Sequence, residues 1–276
     1  MVLAFSLPAD KRPKLPREFV SIPAGNPWMG DDSSSRVSVG AFYISTYEVT
    51  NLQYRTFFDE VATRLSPAER VAIACDTTGW KEVLAYSEPV TKHYFRHPSF
   101  NNYPVVNISH EGAARYCQWF QERIQADNPG VAIEVRLPSK VEWIWAAQGG
   151  RSQAMYPWGN YRLRNNKGQR MCNFREVPDH QVYRSRKTGK PEVAVMPYSA
   201  ADAVVLTAEV KSFRKNDYGL YNMCGNVAEM ISENGIAAGG SWNDYGADVH
   251  IRATGSYERS APTVGFRPVI VVKELK

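Results

Sequence analysis

Short stretches of alternating apolar and polar residues lie near the N-terminal end of the chain. Residues 18–46 read FVSIPAG and then RVSVGAFYIS, with the polar residues 31–35 between the two runs. Strict alternation over a few residues predicts half-buried strands, so we expect a strand pair here. The run from 264 to 272 predicts a final strand, interrupted by Pro268 because proline cannot donate to a sheet.

Helices are predicted where apolar residues recur at helical spacing behind a capping residue. The predicted caps are Thr50 with Asn51, Ser66, Ser109 and Ser139. The helix after Ser109 runs from about 111 to 126, and a strand over 131–137 follows it. Glu142 lies at capping-box spacing after Ser139. The core side of this third helix is expected to carry Val141, Ile144, Trp145 and Ala147.

Long irregular segments separate these elements. Residues 65–102 and 149–216 carry no extended periodicity, and the chain holds 17 prolines and 19 glycines. Short strands, two or three helices and extensive loops predict an α+β fold. No linker divides the chain, so we predict a single domain over 18–276. Residues 1–17, which hold three prolines and a KRPK cluster, are expected to form an extended, solvated arm.

Composition is that of a globular protein, with 43% hydrophobic residues, 22% charged residues and a net charge of +5. Small basic clusters lie within 162–170 and 184–190. We interpret them as solvated loops and expect no nucleic-acid binding, since a polyanion site needs a concentrated basic stripe. The four cysteines have no metal-ligand spacing, and Cys117 is expected to be buried on its helix.

No apolar run reaches the length of a transmembrane helix. The apolar stretch within the opening MVLAFSLPADKRPKLP is too short for a signal peptide. We therefore expect the protein to be located in the cytoplasm, or in the periplasm or cell envelope if a leader has been removed.

The densest motifs lie between residues 216 and 268, where the chain reads NDYGLYNMCGNVAEM, then GGSW, then GFRP. Upstream it carries, in order, FVSIPAG, YEVTN, YPVVNIS, RLPS and YPWGN. This collinear set covers roughly residues 18–272 and resembles the formylglycine-generating-enzyme, or sulfatase-modifying-factor, family. The resemblance implies a loop-rich variant of the C-type lectin fold with little regular secondary structure.

The resemblance also implies structural calcium. The implied ligands are Asn226, Val227 and Glu229 at one site, and Asn173, Phe174 and Asp179 at a second. Calcium takes carboxylate, amide and main-chain oxygens, and the GNVAE bend offers all of these within a few residues. Taken without the resemblance, the same residues suit a helix cap and Asx turns.

Active members of the family oxidise a substrate cysteine to formylglycine, using copper and two cysteines. Counted from the GGSW motif, those positions fall at Asp244 and Val249. Neither supplies the soft thiolate that Cu(I) requires, so we expect no copper and assign no catalytic residue. His93 and His97 match the first spacing of the iron-binding HxxxHxE set of related enzymes. Pro98 follows and breaks a helix there, so iron is not expected.

The predicted function is a catalytically silent domain that binds a protein or serves as a structural scaffold. The expected binding groove follows the GGSW motif and carries Trp242, Asp244, Tyr245, His250, Arg252 and Tyr257. Aromatic and arginine side chains are common anchors of protein interfaces. Residues 156–174 and 216–230 also resemble the gliding-motility and type IX secretion lipoproteins of bacterial envelopes, which act as parts of a machine.

Two alternative functions stay open. One is an enzyme of unknown chemistry that uses the groove from Asp244 to Glu258, where the sequence reveals no nucleophile–base pair. The other is a lectin-like, ligand-displaying protein that resembles the variable proteins of diversity-generating retroelements. Such proteins display segments rich in Asn, Tyr and Ser, whereas residues 243–263 hold a single Asn.

Overall fold

An antiparallel sheet joins the two ends of the chain in the computed structural model, which describes residues 13–30, 37–151, 153–176, 182–193 and 206–273. Its four strands are β1 (Phe19–Ile22), β2 (Phe42–Ser45), β3 (Ala132–Arg136) and β10 (Val269–Lys273). They lie in the order β1-β2-β10-β3, with Val20 opposite Ile44 and Ile270 opposite Val135. The strand pair of residues 18–46 and the strand over 131–137 are confirmed.

Five α-helices lie in the described part of the chain. They are α1 (Asn51–Val61), α2 (Pro67–Ile73), α3 (Glu88–His93), α4 (His110–Asp127) and α5 (Lys140–Gln148). Thr50, Ser66 and Ser139 each close a capping box, and Ser109 accepts from the Gly112 N–H at the start of α4. The predicted caps Thr50, Ser66, Ser109 and Ser139 are therefore confirmed, whereas Asn51 is the first residue of α1 rather than its cap. None of the described helices has the length and apolar character needed to cross a bilayer.

The buried side of α5 differs from the prediction. Ile144 and Ala147 are buried as expected, but Trp145 is only partly buried. Trp143 is fully buried in its place, and its indole N–H donates to Glu229 at 2.8 Å. A helix rich in apolar residues on every side does not reveal from its spacing which tryptophan faces the core. The hydrogen bond to the buried Glu229 carboxylate explains why Trp143, and not Trp145, faces the core.

A second four-stranded sheet carries the C-terminal motifs. Its strands are β6 (Ala228–Met230), β7 (Ile236–Ala238), β8 (Thr254–Ser256) and β9 (Val264–Gly265), in the order β8-β7-β6-β9. The strand predicted over 264–272 is thus two strands, β9 and β10, in two different sheets. Pro268 lies between them, where its missing N–H costs no sheet hydrogen bond while its carbonyl accepts from Ser45.

The irregular segment after α5 holds a short hairpin among its described residues. The hairpin pairs β4 (Val182–Arg184) with β5 (Pro191–Val193) and carries the second basic cluster of the sequence. Helices, an antiparallel and a mixed four-stranded sheet, and long loops together confirm the α+β fold class.

Buried side chains form three clusters that fix these elements together. The first core cluster includes Ile44, Trp143, Phe174, Met223 and Val249. The second core cluster includes Tyr54, Phe57, Ile73, Tyr116 and Phe266. The third core cluster consists of Trp80, Tyr94, Val106, Val227 and Trp242. Each cluster unites residues far apart in sequence, so the C-terminal motifs are held by the whole domain.

The described part of the predicted N-terminal arm contacts the domain. The Lys14 N–H donates to Asn128 Oδ1 at 2.7 Å, and Asn128 Nδ2 donates back to the Lys14 carbonyl at 3.2 Å. Leu15 packs against the second core cluster. The described end of the arm therefore contacts the domain, although Lys14 is exposed, and residues 1–12 lie outside the described residues.

Candidate functional site

The GNVAE bend brings together the two segments that were predicted to bind calcium. Gly225 and Asn226 both have positive φ angles, +71° and +64°. This turn directs the Asn226 N–H to the carbonyl of Asn173 at 2.8 Å. A Cβ at position 225 would lie 2.3 Å from that carbonyl oxygen, so the approach requires glycine. The two predicted sites are therefore parts of one buried polar region.

The side chain of Asn226 is fully buried, and both its amide oxygen and its amide nitrogen are hydrogen-bonded. Its Oδ1 accepts from the Ala208 N–H at 2.7 Å and from Asn173 Nδ2 at 3.4 Å. Its Nδ2 donates to Glu48 Oε1 at 2.7 Å. Asn226 thus links the segment around Ala208 to an acid near the N-terminal sheet, which is a structural task that leaves its amide committed.

Arg267 holds the carboxylate of Glu229. Arg267 Nε and Nη2 donate to the two Glu229 oxygens at 2.7 and 2.6 Å, and both side chains are buried. Trp143 Nε1 supplies a third donor at 2.8 Å. The guanidinium also donates to the carbonyls of Ser45 and Tyr221, at 3.2 and 2.8 Å. Two-point contact of this kind is among the strongest side-chain pairings in proteins, so Glu229 already faces a cation.

Glu48 is the second buried acid beside Arg267, and sequence reasoning missed it. Its Oε2 accepts from Asn222 Nδ2 at 3.2 Å and lies 4.0 Å from Arg267 Nη2. Burial raises the pKa of Glu48 to about 7, against the lowering effect of Arg267, and the charge of Glu229 adds to the rise. A lone acid within the apolar run FYISTYEVT was the available signal.

These contacts test whether the first calcium site fits the chain. Both Glu229 oxygens face donors, and Asn226 Oδ1 is engaged, whereas calcium takes about six to eight oxygens. Within the described ranges, no group of three His, Cys, Asp or Glu side chains could hold a metal ion. Glu229 as a calcium ligand therefore does not fit this arrangement, because Arg267 takes the position of the cation.

The second predicted calcium site keeps one uncommitted oxygen. Asn173 Nδ2 donates to the Leu206 carbonyl at 2.8 Å, while its Oδ1 is buried without a partner among the described residues. Phe174 and Val227 are buried in the first and third core clusters. Asp179 lies outside the described residues. Calcium binding near Asn173 stays a prediction.

The two positions at which active family members carry copper-binding cysteines hold Asp244 and Val249 in this chain. Asp244 Oδ2 accepts from the Ser241 N–H at 2.8 Å and from its hydroxyl at 2.7 Å, so this carboxylate closes a turn. Val249 is fully buried in the first core cluster. Gly240 passes so close to the Asp248 carbonyl that a Cβ would lie 2.5 Å from its oxygen. An aliphatic side chain inside a core offers no ligand to Cu(I), so the residues do not fit copper.

The four cysteines do not replace the missing thiolates. All are free, and Cys117, Cys172 and Cys224 are buried. Burial raises the pKa of Cys75, Cys117 and Cys172 to about 12. At neutral pH these three groups are therefore thiols, whereas metal binding and nucleophilic attack need the thiolate.

The predicted binding groove does not form one surface. Trp242 is 2% exposed, donates its indole N–H to the Pro262 carbonyl at 3.0 Å and stacks on Trp80. Tyr257 packs instead against the second core cluster, where its N–H donates to the Gly235 carbonyl. Trp242 as a groove anchor is therefore wrong, because the GGSW turn directs the indole into the core.

Two of the remaining groove residues belong to a surface that combines exposed and half-buried side chains. We name it the aromatic–arginine face and define it as Trp28, Tyr161, Arg175, Tyr245 and Arg252. Tyr245 is 40% exposed, with the Arg175 guanidinium 5.2 Å from its ring centroid. The Arg252 guanidinium lies 4.2 Å from the Trp28 ring centroid. Tyr161 is 78% exposed and lies near the Arg252 guanidinium, whose pKa is lowered by burial.

Backbone contacts hold the loops of this face together. The Arg175 N–H donates to the Asp244 carbonyl at 2.9 Å, and the Ile251 N–H donates to the Met155 carbonyl at 3.0 Å. A Cβ at Gly246 would lie 2.5 Å from Leu163, so the loop of Tyr161 runs beside that of Tyr245. Sequence reasoning missed Trp28, Tyr161 and Arg175, although aromatic residues in the turns PWMG and GNYR were an available signal.

His250 does not complete an acid–base pair in this region. Burial is the main cause that lowers the pKa of His250, and the positive charge of Arg252 lowers it further. Its Nδ1 accepts from the Arg252 N–H at 3.2 Å, so the ring is neutral near pH 7 with one nitrogen engaged. Among the described residues no hydrogen bond joins His250 to the carboxylate of Asp244.

A family model described as a sulfatase-modifying factor enzyme 1-like domain matches residues 5–272. The chain belongs to this family. The family and the fold expected from the GLYNMCGNVAEM, GGSW and GFRP motifs are thereby confirmed.

Curated relatives include both active and inactive proteins. The formylglycine-generating enzyme of Bos taurus is 28% identical over 252 residues, which cover 80% of this chain and 59% of the relative. The formylglycine-generating enzyme of Thermomonospora curvata is 27% identical over 268 residues, which cover 83% of this chain and 75% of the relative. The inactive C-alpha-formylglycine-generating enzyme 2 of Bos taurus is 26% identical over 300 residues, covering 90% and 86%. The chain thus spans about three fifths of the length of the bovine enzyme.

Solved structures share the fold at low sequence identity. CarF superposes with a TM-score of 0.59 at 18% identity, covering 95% of this chain and 100% of CarF. PvdO from Pseudomonas aeruginosa gives 0.57 at 17% identity, covering 93% and 94%. Treponema denticola variable protein 1 gives 0.56 at 17% identity, covering 91% and 94%. At such identities the similarity concerns the fold alone.

Proposed function

We propose that this chain is a catalytically silent member of the sulfatase-modifying-factor family that binds a segment of another protein. The observation that carries the proposal is the pair of thiolate positions. One holds Asp244, whose carboxylate closes the Ser241 turn, and the other holds Val249, buried in the core. Neither residue supplies copper chemistry, so the fold is retained here for another purpose.

The aromatic–arginine face is the surface that suits this purpose. Tyr161 and Tyr245 are exposed rings with few rotatable bonds, which lose little entropy when a partner covers them. Arg175 and Arg252 are each stacked on a ring, so their guanidinium groups are positioned before a partner arrives. Aromatic and arginine residues dominate binding energy at protein interfaces.

The two alternative functions differ in what they require of this face. An enzyme would need a nucleophile and a base in contact, and both Asp244 and His250 are engaged in local hydrogen bonds instead. A ligand-displaying protein would use the same exposed loops to hold a small ligand or a varied set of partners. A single specific partner therefore separates our proposal from the lectin-like alternative. We further propose that the protein is part of a bacterial envelope machine, and the identity of the partner tests this.

Site-specific photocrosslinking tests the proposal. A photoreactive phenylalanine analogue replaces Tyr161 in one variant and Tyr245 in another. The control replaces Tyr86, which is 76% exposed and lies outside the face. We expect both test variants to form the same crosslinked product in cells of the source organism, and the Tyr86 control to lack it.

A matched pair of variants gives the affinity arm of the test. Tyr161→Ser with Tyr245→Ser should abolish recovery of the crosslinked partner, while Tyr86→Ser leaves it unchanged. Because the replaced rings are exposed, the melting temperature should stay within a few degrees of wild type. Equal recovery of every partner by the double variant would refute this face as the interface.

A further inference from the structure

The strand β8 lies at an edge of the second sheet, with β7 on its inner side. Main-chain groups of successive residues in an antiparallel strand point to opposite edges. Just beyond β8, the Tyr257 N–H donates to the Gly235 carbonyl at 2.8 Å, so the odd-numbered residues make the bonds to β7. Gly255 therefore faces β7, whereas the N–H and C=O groups of Thr254 and Ser256 point away from the sheet.

These outward groups of β8 have no partner. No hydrogen bond reaches the main chain of Thr254 or Ser256 from any residue that the structure describes, apart from the pairing with β7. All three residues of β8 are exposed, and a Cβ at Gly255 would meet no atom within 4 Å. The strand also contains no proline, charge or bulge, which are features that protect sheet edges in other proteins. Two donors and two acceptors are thus available to another strand.

The edge strand β3 of the first sheet differs from β8 in this respect. Its Val135 N–H donates to Gln121 Oε1 at 2.8 Å, and its Ile133 N–H donates to Gln125 Oε1 at 3.0 Å. Both glutamines belong to α4. Side chains of the same domain therefore occupy the outward donors of β3, while those of β8 stay open to a partner.

We propose that β8 pairs antiparallel with β8 of a second copy of this chain, with the two-fold axis at Gly255. In this register Thr254 of one copy lies opposite Ser256 of the other, and the two residues exchange a pair of main-chain hydrogen bonds. The two-fold axis repeats this pair, so every outward N–H and C=O group of β8 is used in both copies. The edge is self-complementary because its two outward residues lie symmetrically about Gly255.

The charges that flank β8 fit the same register. Arg252 lies two positions before the strand and Glu258 two positions after it, so each copy sets a cation opposite an acid of the other. The Arg252 guanidinium donates to the Ala154 carbonyl at 3.1 Å and keeps further N–H groups. Arg259, the next cation along the chain, is already paired with Glu82 at 2.8 Å. Main-chain geometry and charge therefore both favour a second copy.

Sedimentation velocity of the purified chain tests the proposal. The paired edge is smaller than a standard interface, so we expect a reversible dimer with a dissociation constant on the order of 100 μM. Thr254→Pro and Ser256→Pro each remove one outward N–H, which makes no bond within a single copy. Each should weaken the dimer roughly tenfold or more, with little change in melting temperature. Thr254→Ala and Ser256→Ala keep the N–H and should dimerise like wild type.

A cysteine at the two-fold axis tests the register without proline. Facing residues at such a position, between two hydrogen-bonded pairs, have Cα atoms about 4.5 Å apart, which suits a disulfide. Gly255→Cys should therefore crosslink two copies in oxidised glutathione, as two protein thiols form one disulfide and glutathione disulfide is reduced to two thiols. The matched control is Gly40→Cys, at another exposed glycine whose Cβ would meet no atom within 4 Å. We expect this control to crosslink far more slowly.

The outcomes separate self-pairing from other uses of the edge. A chain that stays monomeric well above the expected constant would overturn the proposal and leave β8 to a segment of another protein. A dimer that survives both proline variants would place the contact elsewhere, and one that the alanine variants weaken equally would rest on side chains; either result overturns the proposal. If the proline variants fail to fold, equal crosslinking of Gly255→Cys and Gly40→Cys contradicts it.

Discussion

Loss of Arg267 should be among the most destabilising single changes in the described part of the chain. In Arg267→Met the carboxylates of Glu229 and Glu48 stay buried without their cation. Removing one partner of a buried ion pair costs about 3–5 kcal/mol. For a domain of this size, roughly 2–4 °C of melting temperature is lost per kcal/mol, so we expect a fall on the order of 10 °C.

The destabilisation should also depend on pH. The pKa of Glu48 in the folded wild type is about 7, above its usual value of 4.5, and Arg267 is the charge that lowers it. A raised folded-state pKa stabilises the fold at low pH, and this stabilisation is lost as pH rises through the folded value. Because Arg267→Met raises the pKa of Glu48 further, the variant should lose more stability relative to wild type at pH 8 than at pH 5.5.

Urea unfolding followed by circular dichroism at these two pH values measures both effects. The matched control is Arg151→Met, which removes an exposed ion pair to Asp217 at 2.7 Å. Exposed pairs contribute at most about 1 kcal/mol, so this variant should differ little from wild type at either pH. Arg267→Met melting within a few degrees of Arg151→Met would refute the reasoning, as would a deficit that shrinks with rising pH.

Three further changes test the buried polar region. Glu48→Gln removes the titrating carboxyl group. In urea unfolding, the free energy by which wild type exceeds this variant should therefore fall by roughly 1 kcal/mol per pH unit between pH 5 and 7. A difference that stays constant with pH would contradict the assignment of the raised pKa to Glu48. Glu229→Gln should lower the melting temperature equally in calcium and in chelator, because its partner is Arg267, and a calcium-dependent loss would restore Glu229 as a metal ligand. Gly225→Ala should melt well below Gly219→Ala in thermal scans: both positions have positive φ, but only the first Cβ meets a backbone oxygen, at 2.3 Å. Equal melting of the two alanine variants would show that the close approach to Asn173 contributes nothing.

Local features of this fold could be read from the sequence, since their determinants are close in the chain. Ser139 and Glu142 form their capping box from two residues three positions apart, as do Ser66 and Glu69. The strands β1 and β2 could likewise be predicted from the local alternation of apolar and polar residues. The order of the motifs along the chain was sufficient to identify the family.

The candidate site depends on contacts that no local pattern encodes. Glu48 reaches Asn226 across 178 positions, and Arg267 reaches Glu229 across 38 positions. Motif similarity pointed to Glu229 as a metal ligand, but it did not reveal that the arginine of GFRP faces the same carboxylate. Likewise, the expected groove after the GGSW motif included Trp242, and only the third core cluster shows that this indole lies inside.

Formylglycine formation is the activity whose absence our account requires most directly. The assay incubates the purified chain with a CxPxR-type peptide, copper, oxygen and a thiol reductant, and follows the peptide cysteine by mass spectrometry. The formylglycine-generating enzyme of Thermomonospora curvata serves as the positive control. Because Asp244 closes a turn and Val249 is buried in the core, we predict that the cysteine is recovered unchanged. Detection of the aldehyde product above a no-protein control would contradict the account.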